Sequence, residues 1–397
     1  MEYSGLRLFL DYALLFLSLY VIVFFVMLYI KYKNKIFESP KQTSWKPFVS
    51  VIIPAYNEQE NIEKCVRAVL ECDYPKDKLE IIVVDDGSKD NTLEIVKSIK
   101  YPKLIVLTKP NSGKAASINF GIKYAKGEII ATMDADSFIQ KDVIDKMLPL
   151  FDSEDVAAIT AAVLVRPSNK WLQELQRIEY LSMIFTRRLL SFVDAVPVTP
   201  GPFSMFRAWV FERLGGFDEQ NIVEDHEMAF RIQSSNYKIK SSIDAVVYTE
   251  TPDTVSALLK QRVRWYRGGL HNTFNYRHLM SPKYGDFGIM VVPLILLSLL
   301  SFFLVFTLIY DSVLNPPIYA YHLGVSGLFL SIGPTSMAAF CVLLLWFLWA
   351  YIAAKSFKDQ SSDPLSIFLF LLFYGYLTIA YNIVTIAKEI RKERFSW

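Results

Sequence analysis

Three cysteines in 397 residues cannot build a disulfide framework, and no pair of them has the spacing of a zinc site. Cys65 and Cys72 lie in a stretch of helical periodicity and Cys341 in an apolar run, so all three read as free thiols in a reducing compartment. Charge is scarce too. Only 21% of residues are charged, and 42 basic against 40 acidic side chains leave a net +2, which excludes the basic surplus of a nucleic-acid-binding surface. There is no internal repeat and no low-complexity tract. In their place stands apolar sequence: 52% hydrophobic and 15% aromatic, with a mean hydropathy of +0.27. That excludes a disordered chain and is too apolar for a soluble globular protein of this length.

The apolar residues are unevenly placed. No charge occurs over 12–30, 287–310, 312–354 or 364–387, whereas 31–285 carries an ordinary density of charge. The run 12–30 has the length, about 20 residues, that crosses the hydrocarbon as a helix. A cleaved signal peptide would start basic and have a shorter core. Here the start holds Glu2, Arg7 and Asp11, so the run (domain 1–30) is expected to be a retained anchor. Lys31, Lys33 and Lys35 place its end in the cytoplasm by the positive-inside rule. About three further spans are expected in 286–397, near 288–310, 332–354 and 364–387. Residues 311–331, with Asn315-Pro316-Pro317 and Gly324, read as an outer loop or a partly inserted segment. One span before and three after the soluble domain would put the tail outside, yet Lys388, Arg391, Lys392 and Arg394 favour the inside.

Between the spans, residues 31–285 read as an α/β domain. Short Val- and Ile-rich runs at 48–54, 80–84, 104–108 and 128–133 alternate with helical patterns at 58–72, 90–100, 114–125 and 140–150. Such alternation indicates a Rossmann-like, mainly parallel sheet with helices on both faces, and ligands bind outside the carboxyl ends of its strands. Three polar clusters fall there: Pro54-Ala55-Tyr56-Asn57-Glu58, Asp85-Asp86-Gly87-Ser88 and Asp134-Ala135-Asp136.

Each cluster has an ordinary reading beside a chemical one. Asp134 and Asp136 would point to one side of an extended segment and suit a hard divalent cation; alone, Asp136 or Ser137 could simply cap a helix. Asp85 and Asp86 could accept from a nucleotide base, or form an Asx-type turn. Asn111-Ser112-Gly113-Lys114 opens a helix where Lys114 would favour an anion. Glu224-Asp225-His226 heads another helix, where acids suit the dipole but Asp225 could also act as a general base. In a helix near 254–275, Gln261, Arg264 and Trp265 share a face by the i, i+3, i+4 rule. Arg264 offers a planar fork for a phosphate and Trp265 a plate for a sugar ring. A basic, aromatic helix ahead of a span could equally be interfacial.

In this order the motifs resemble family 2 glycosyltransferases of the GT-A fold over residues 48–275. They are similar above all to the membrane-embedded processive type, the poly-N-acetylglucosamine, hyaluronan and cellulose synthases. The resemblance implies a nucleotide-sugar donor, UDP-linked, held by Pro54, Tyr56, Glu58, Asp85, Asp86, Lys114 and Asp134. It implies Mn2+ or Mg2+ on Asp134 and Asp136, with Asp225, Arg264, Gln261 and Trp265 as the catalytic group. Trp265, Gly201, Pro202, Phe203 and Ser204 would meet the acceptor. Val223 departs from the pattern, standing where these synthases often have threonine before Glu-Asp. The implied activity is inverting transfer to a growing β-linked polysaccharide by an integral protein of the cell membrane with a cytoplasmic catalytic domain. Single transfer to a lipid acceptor is the alternative. A channel or transporter would place charges inside its spans, and these runs hold none.

Overall fold

The computed structural model describes residues 5–40, 43–168, 170–297, 307, 334–357 and 362–393. Its centre is an eight-stranded sheet: β1 (Val49–Ala55), β2 (Leu79–Asp85), β3 (Leu104–Thr108), β4 (Ile129–Thr132), β5 (Ser137–Ile139), β6 (Val156–Val165), β7 (Ser204–Arg207) and β8 (Lys238–Thr249), in the order β3-β2-β1-β4-β7-β6-β8-β5. The first four strands form a parallel half, with Val51 opposite both Ile81 and Ala131. The other half is mixed: β7 runs antiparallel to β4 and β6, β5 runs antiparallel to β8, and β6–β8 is parallel.

Buried on both faces, β1 and β2 need continuous apolar sequence, and VSVIIPA and LEIIVVD provide it. One face packs on α2 (Ile62–Leu70) and α5 (Val143–Met147). The other carries α4 (Lys114–Ile122) together with α7 (Trp209–Leu214) and α8 (Glu224–Ser234), between which fall α3 (Thr92–Ser98) and α6 (Trp171–Ser191) in chain order. The expected helix over 58–72 starts later, at Ile62. Asp136 and Ser137 cap no helix; Ser137 opens β5, and the next helix begins at Val143.

The apolar runs are helical where described. The elements are α1 (Gly5–Tyr32), α10 (Pro334–Lys355) and α11 (Pro364–Ile390), with α9 (Val255–Asn275) preceding the last two. Among the described residues, Leu8–Tyr32 and Pro364–Ile390 are long and apolar enough to cross a membrane. Of the span expected near 288–310, only 288–297 and 307 are described, and Asn315-Pro316-Pro317, Gly324 and Arg394 lie outside the described residues. Helix α6 joins the two regions: Ile178, Leu181, Phe185 and Leu189 pack in one cluster with Ile22 of α1, Trp349 of α10 and Leu164 of β6. Helix α11 lies along α9. Arg262 Nε donates to the Tyr374 hydroxyl at 3.3 Å, the Tyr266 and Tyr381 hydroxyls are 3.2 Å apart, and Arg267 Nε pairs with Glu389 at 2.6 Å. The carboxyl end of α11 is thereby tied to α9.

Candidate active site

The loops after β4 and before β7 and α8 converge with α6 and α9 on one cavity of about 330 Å³. Its walls include Lys114, Asp134, Asp136, Gly201, Pro202, Asp225, Gln261, Arg264 and Trp265, which the chain brings from positions up to 151 residues apart (114 to 265). The three α9 residues share the cavity face, as their spacing requires.

Lys114 is the electrostatic hub. Its Nζ lies 2.5 Å from Asp134 and 3.1 Å from Glu224. Burial opposes its charge, but Asp134, Glu224 and Asp225 outweigh that and hold its pKa above the ordinary value. Gly201 closes over this pair: a Cβ there would fall 2.7 Å from an Asp134 oxygen and against Lys114 Nζ, so a larger residue would push the two charged ends aside. Asp225 is anchored by its backbone, its carbonyl accepting from the Thr199 hydroxyl at 2.8 Å and the Thr199 N–H at 3.2 Å. Arg264 Nη1 donates to the Ile222 carbonyl at 3.2 Å, on the turn just ahead of Glu224. Trp265 packs on Val163, Val165 and Tyr180, and the Arg262 guanidinium lies 4.2 Å over its ring.

The cavity has spare negative charge. Five acidic side chains line it (Asp134, Asp136, Glu224, Asp225, Glu250) against three basic ones (Lys114, Arg187, Arg264). Burial, then the Asp134 and Glu58 charges, push the Asp136 carboxyl up to about 7. Two hard carboxylates with unbalanced charge suit a divalent cation, so Asp134 and Asp136 fit the group that sequence reasoning placed there. Among the described residues no set of three His, Cys, Asp or Glu side chains gathers as a complete metal cluster. Two protein carboxylates plus substrate phosphates is an ordinary way to hold Mg2+.

Other expected residues lie outside the cavity walls. Pro54, Tyr56, Glu58, Asp85 and Asp86 cluster at the ends of β1 and β2. Asp86 accepts from the Ser112 and Gly113 N–H groups at 3.0 and 2.8 Å and pairs with Lys109; Asp85 accepts from Ser88 N and Thr108 Oγ1. Both carboxylates thus build the loops here. Phe203 is fully buried in the sheet core, and Ser204, in β7, donates to the Pro200 carbonyl at 2.8 Å, so neither faces the cavity that Gly201 and Pro202 line. Sequence reasoning missed Tyr180 and Arg187, which reach the cavity from α6; no motif marks that helix, though an Arg187-Arg188 pair inside an apolar stretch is unusual enough to notice.

The description Glycosyl transferase family 2 matches residues 50–215. Residues 50–215 are a family 2 glycosyltransferase domain. The cavity residues Asp225, Gln261, Arg264 and Trp265 lie beyond that stretch. A poly-beta-1,6-N-acetyl-D-glucosamine synthase of Staphylococcus epidermidis is 33% identical over 225 residues, 56% of this chain and 54% of that one. The synthase of the same description from Staphylococcus aureus gives the same figures. The chain spans about half the length of these curated relatives. In fold, a mannosyltransferase, PcManGT from Pyrobaculum calidifontis, solved in complex with GDP-Man and Mn2+, aligns over 92% of this chain and 99% of its own, with a TM-score of 0.63 at 20% identity. The glycosyltransferase domain therefore has a GT-A-type fold, with helices of membrane-spanning length joined to it.

Proposed function

We propose that the protein is an inverting membrane glycosyltransferase that moves a sugar from a nucleotide-diphosphate donor, UDP-linked, to a growing β-linked polysaccharide. The convergence of Asp136, Asp225 and Arg264 on one cavity carries the reading. The donor's nucleotide lies against Tyr56, Glu58 and the β2 loop, and its diphosphate reaches the carboxylates of Asp134 and Asp136. Mn2+ or Mg2+ bound there would neutralise the diphosphate as the leaving charge develops. Lys114 holds Asp134 in place, and Gly201 leaves room for that contact. Asp225 takes the proton of the attacking hydroxyl, Arg264 steadies charge on the leaving group, and Trp265 seats the acceptor. Attack opposite the leaving group turns an α-linked donor into a β-linkage.

The likeness to the staphylococcal poly-beta-1,6-N-acetyl-D-glucosamine synthases supports the polysaccharide product. Lys31, Lys33 and Lys35, at and just past the end of α1, support a cytoplasmic catalytic domain in the cell membrane. A second reading, single transfer to a lipid, is favoured by an apolar pocket of about 370 Å³ that shares Arg187 and Val198 with the catalytic cavity. The test is product size. Protein in liposomes is given labelled nucleotide sugars and Mn2+. High-molecular-weight material supports the synthase, one sugar on extractable lipid supports the second reading, and transfer from no donor refutes both.

A further inference from the structure

Arg187 is a buried cation whose Nη1 finds no hydrogen-bonding partner among the described residues. It is 6% exposed, its Nη1 has no hydrogen-bond acceptor, and it forms no ion pair among the described residues. Burial lowers its pKa to about 10, against the opposing pull of Asp225, so it remains charged at neutral pH. A guanidinium left in this state is costly unless something anionic completes it.

Its position says what that is. Arg187 lies on the stripe of α6 formed by Glu179, Ser182, Met183, Thr186 and Leu190, which lines the second pocket. The far wall comes from helices of the membrane region, through Trp346, Trp349 and Ala350 of α10 and Phe370 and Leu371 of α11. The pocket is almost wholly apolar, and its buried Ser182 hydroxyl is also unpartnered among the described residues. The one acid on the stripe, Glu179, is already committed to Arg262. Met183, Arg187 and Val198 line both this pocket and the catalytic cavity.

We propose that the apolar pocket holds the hydrocarbon tail of a phosphate-bearing lipid and that Arg187, with Ser182, binds its phosphate, presenting the headgroup hydroxyl to Asp225. This deepens the second reading above and rests on it, naming the acceptor as an anionic lipid. The alternative use of Arg187, on the donor diphosphate, suits its place less well. The nucleotide end of the site is at β1 and β2, whereas Arg187 faces the membrane helices.

Decyl phosphate is the probe, with decanol and inorganic phosphate as controls, bound to the full chain in an uncharged maltoside detergent. Saturable binding of decyl phosphate is expected, with decanol and inorganic phosphate each far weaker. Arg187→Gln should weaken decyl phosphate roughly tenfold to a hundredfold, leave decanol unchanged and spare nucleotide binding, while Arg187→Lys restores part of the loss. Ala350→Trp, which fills the pocket without touching the cation, should also weaken decyl phosphate and covers the case in which Arg187→Gln fails to fold. The proposal is overturned if Arg187→Gln leaves decyl phosphate binding intact, if inorganic phosphate binds as tightly, or if the variant loses nucleotide instead. Failure of the glycosyltransferase reading would look different: decyl phosphate would bind, yet no donor would be turned over.

Discussion

At the scale of single residues, Gly268 explains how Val223 is accommodated ahead of Glu224 and Asp225. A Cβ at Gly268 would press on the Val223 side chain, with Cγ1 and Cβ at 3.0 and 3.1 Å. Gly268→Ala should therefore cost about 1–3 kcal/mol by overpacking and lower kcat by displacing the turn that carries Asp225. The Val223→Ala, Gly268→Ala double variant should recover most of both, as read by thermal unfolding and transfer rate. His226 gives a pH signature. Its Nδ1 faces Asn272 Nδ2 at 3.2 Å, and burial lowers its pKa to about 4, from an ordinary value of 6.5. A folded pKa below the unfolded one means that its neutral form stabilises the fold fully above pH 6.5, and that this contribution drains away as pH falls toward 4. The difference in stability between wild type and His226→Gln should shift by at most about 1.4 kcal/mol per pH unit across that window. A pH-independent difference would show that His226 does not titrate this way.

At the scale of elements, α9 holds its cavity face in register through residues pointing the other way. Arg262, 1% exposed, pairs with Glu179 of α6, donates to Tyr374 of α11 and covers Trp265. Arg262→Met strands the partly buried Glu179 carboxylate and should cost about 2–4 kcal/mol, whereas Arg262→Met with Glu179→Leu should cost much less; denaturant unfolding separates the two. The α9 face was legible in advance because Gln261, Arg264 and Trp265 follow helical spacing. Strands β1 to β4 were legible because strands buried on both sides are continuous apolar runs, and their polar ends mark the ligand edge. The mixed half was not. Strand β7 spans only Ser204–Arg207, too short for a period to register, and α6 carries Arg177, Arg187 and Arg188 among apolar residues, which obscures that it is the buried link between sheet and membrane helices. For the same reason the Asp85 and Asp86 cluster reads as a ligand site in sequence, although its carboxylates are largely spent on Ser88, Thr108, Ser112 and Gly113.

At the scale of the whole molecule, the end of α11, with the basic residues Lys388 and Arg391, is held against α9. The Arg267–Glu389 pair, and the Arg267 Nη2 bond to the Glu393 carbonyl at 2.8 Å, set the end of α11 beside α9. If α10 is embedded in lipid as proposed, its outward-facing Cys341 should react in intact liposomes with an apolar maleimide and not with a charged one, while buried Cys65 and Cys72 resist both. Labelling by the charged reagent would put α10 in water. The central claim is that distant side chains divide one reaction between them, the Asp134–Asp136 pair serving the donor and Asp225 the attacking hydroxyl. It is tested most directly by measuring donor binding and single-turnover transfer side by side in Asp225→Asn. The account predicts unchanged nucleotide-sugar affinity with transfer reduced about 10²- to 10⁴-fold; undiminished transfer, or affinity lost in step with it, would contradict it.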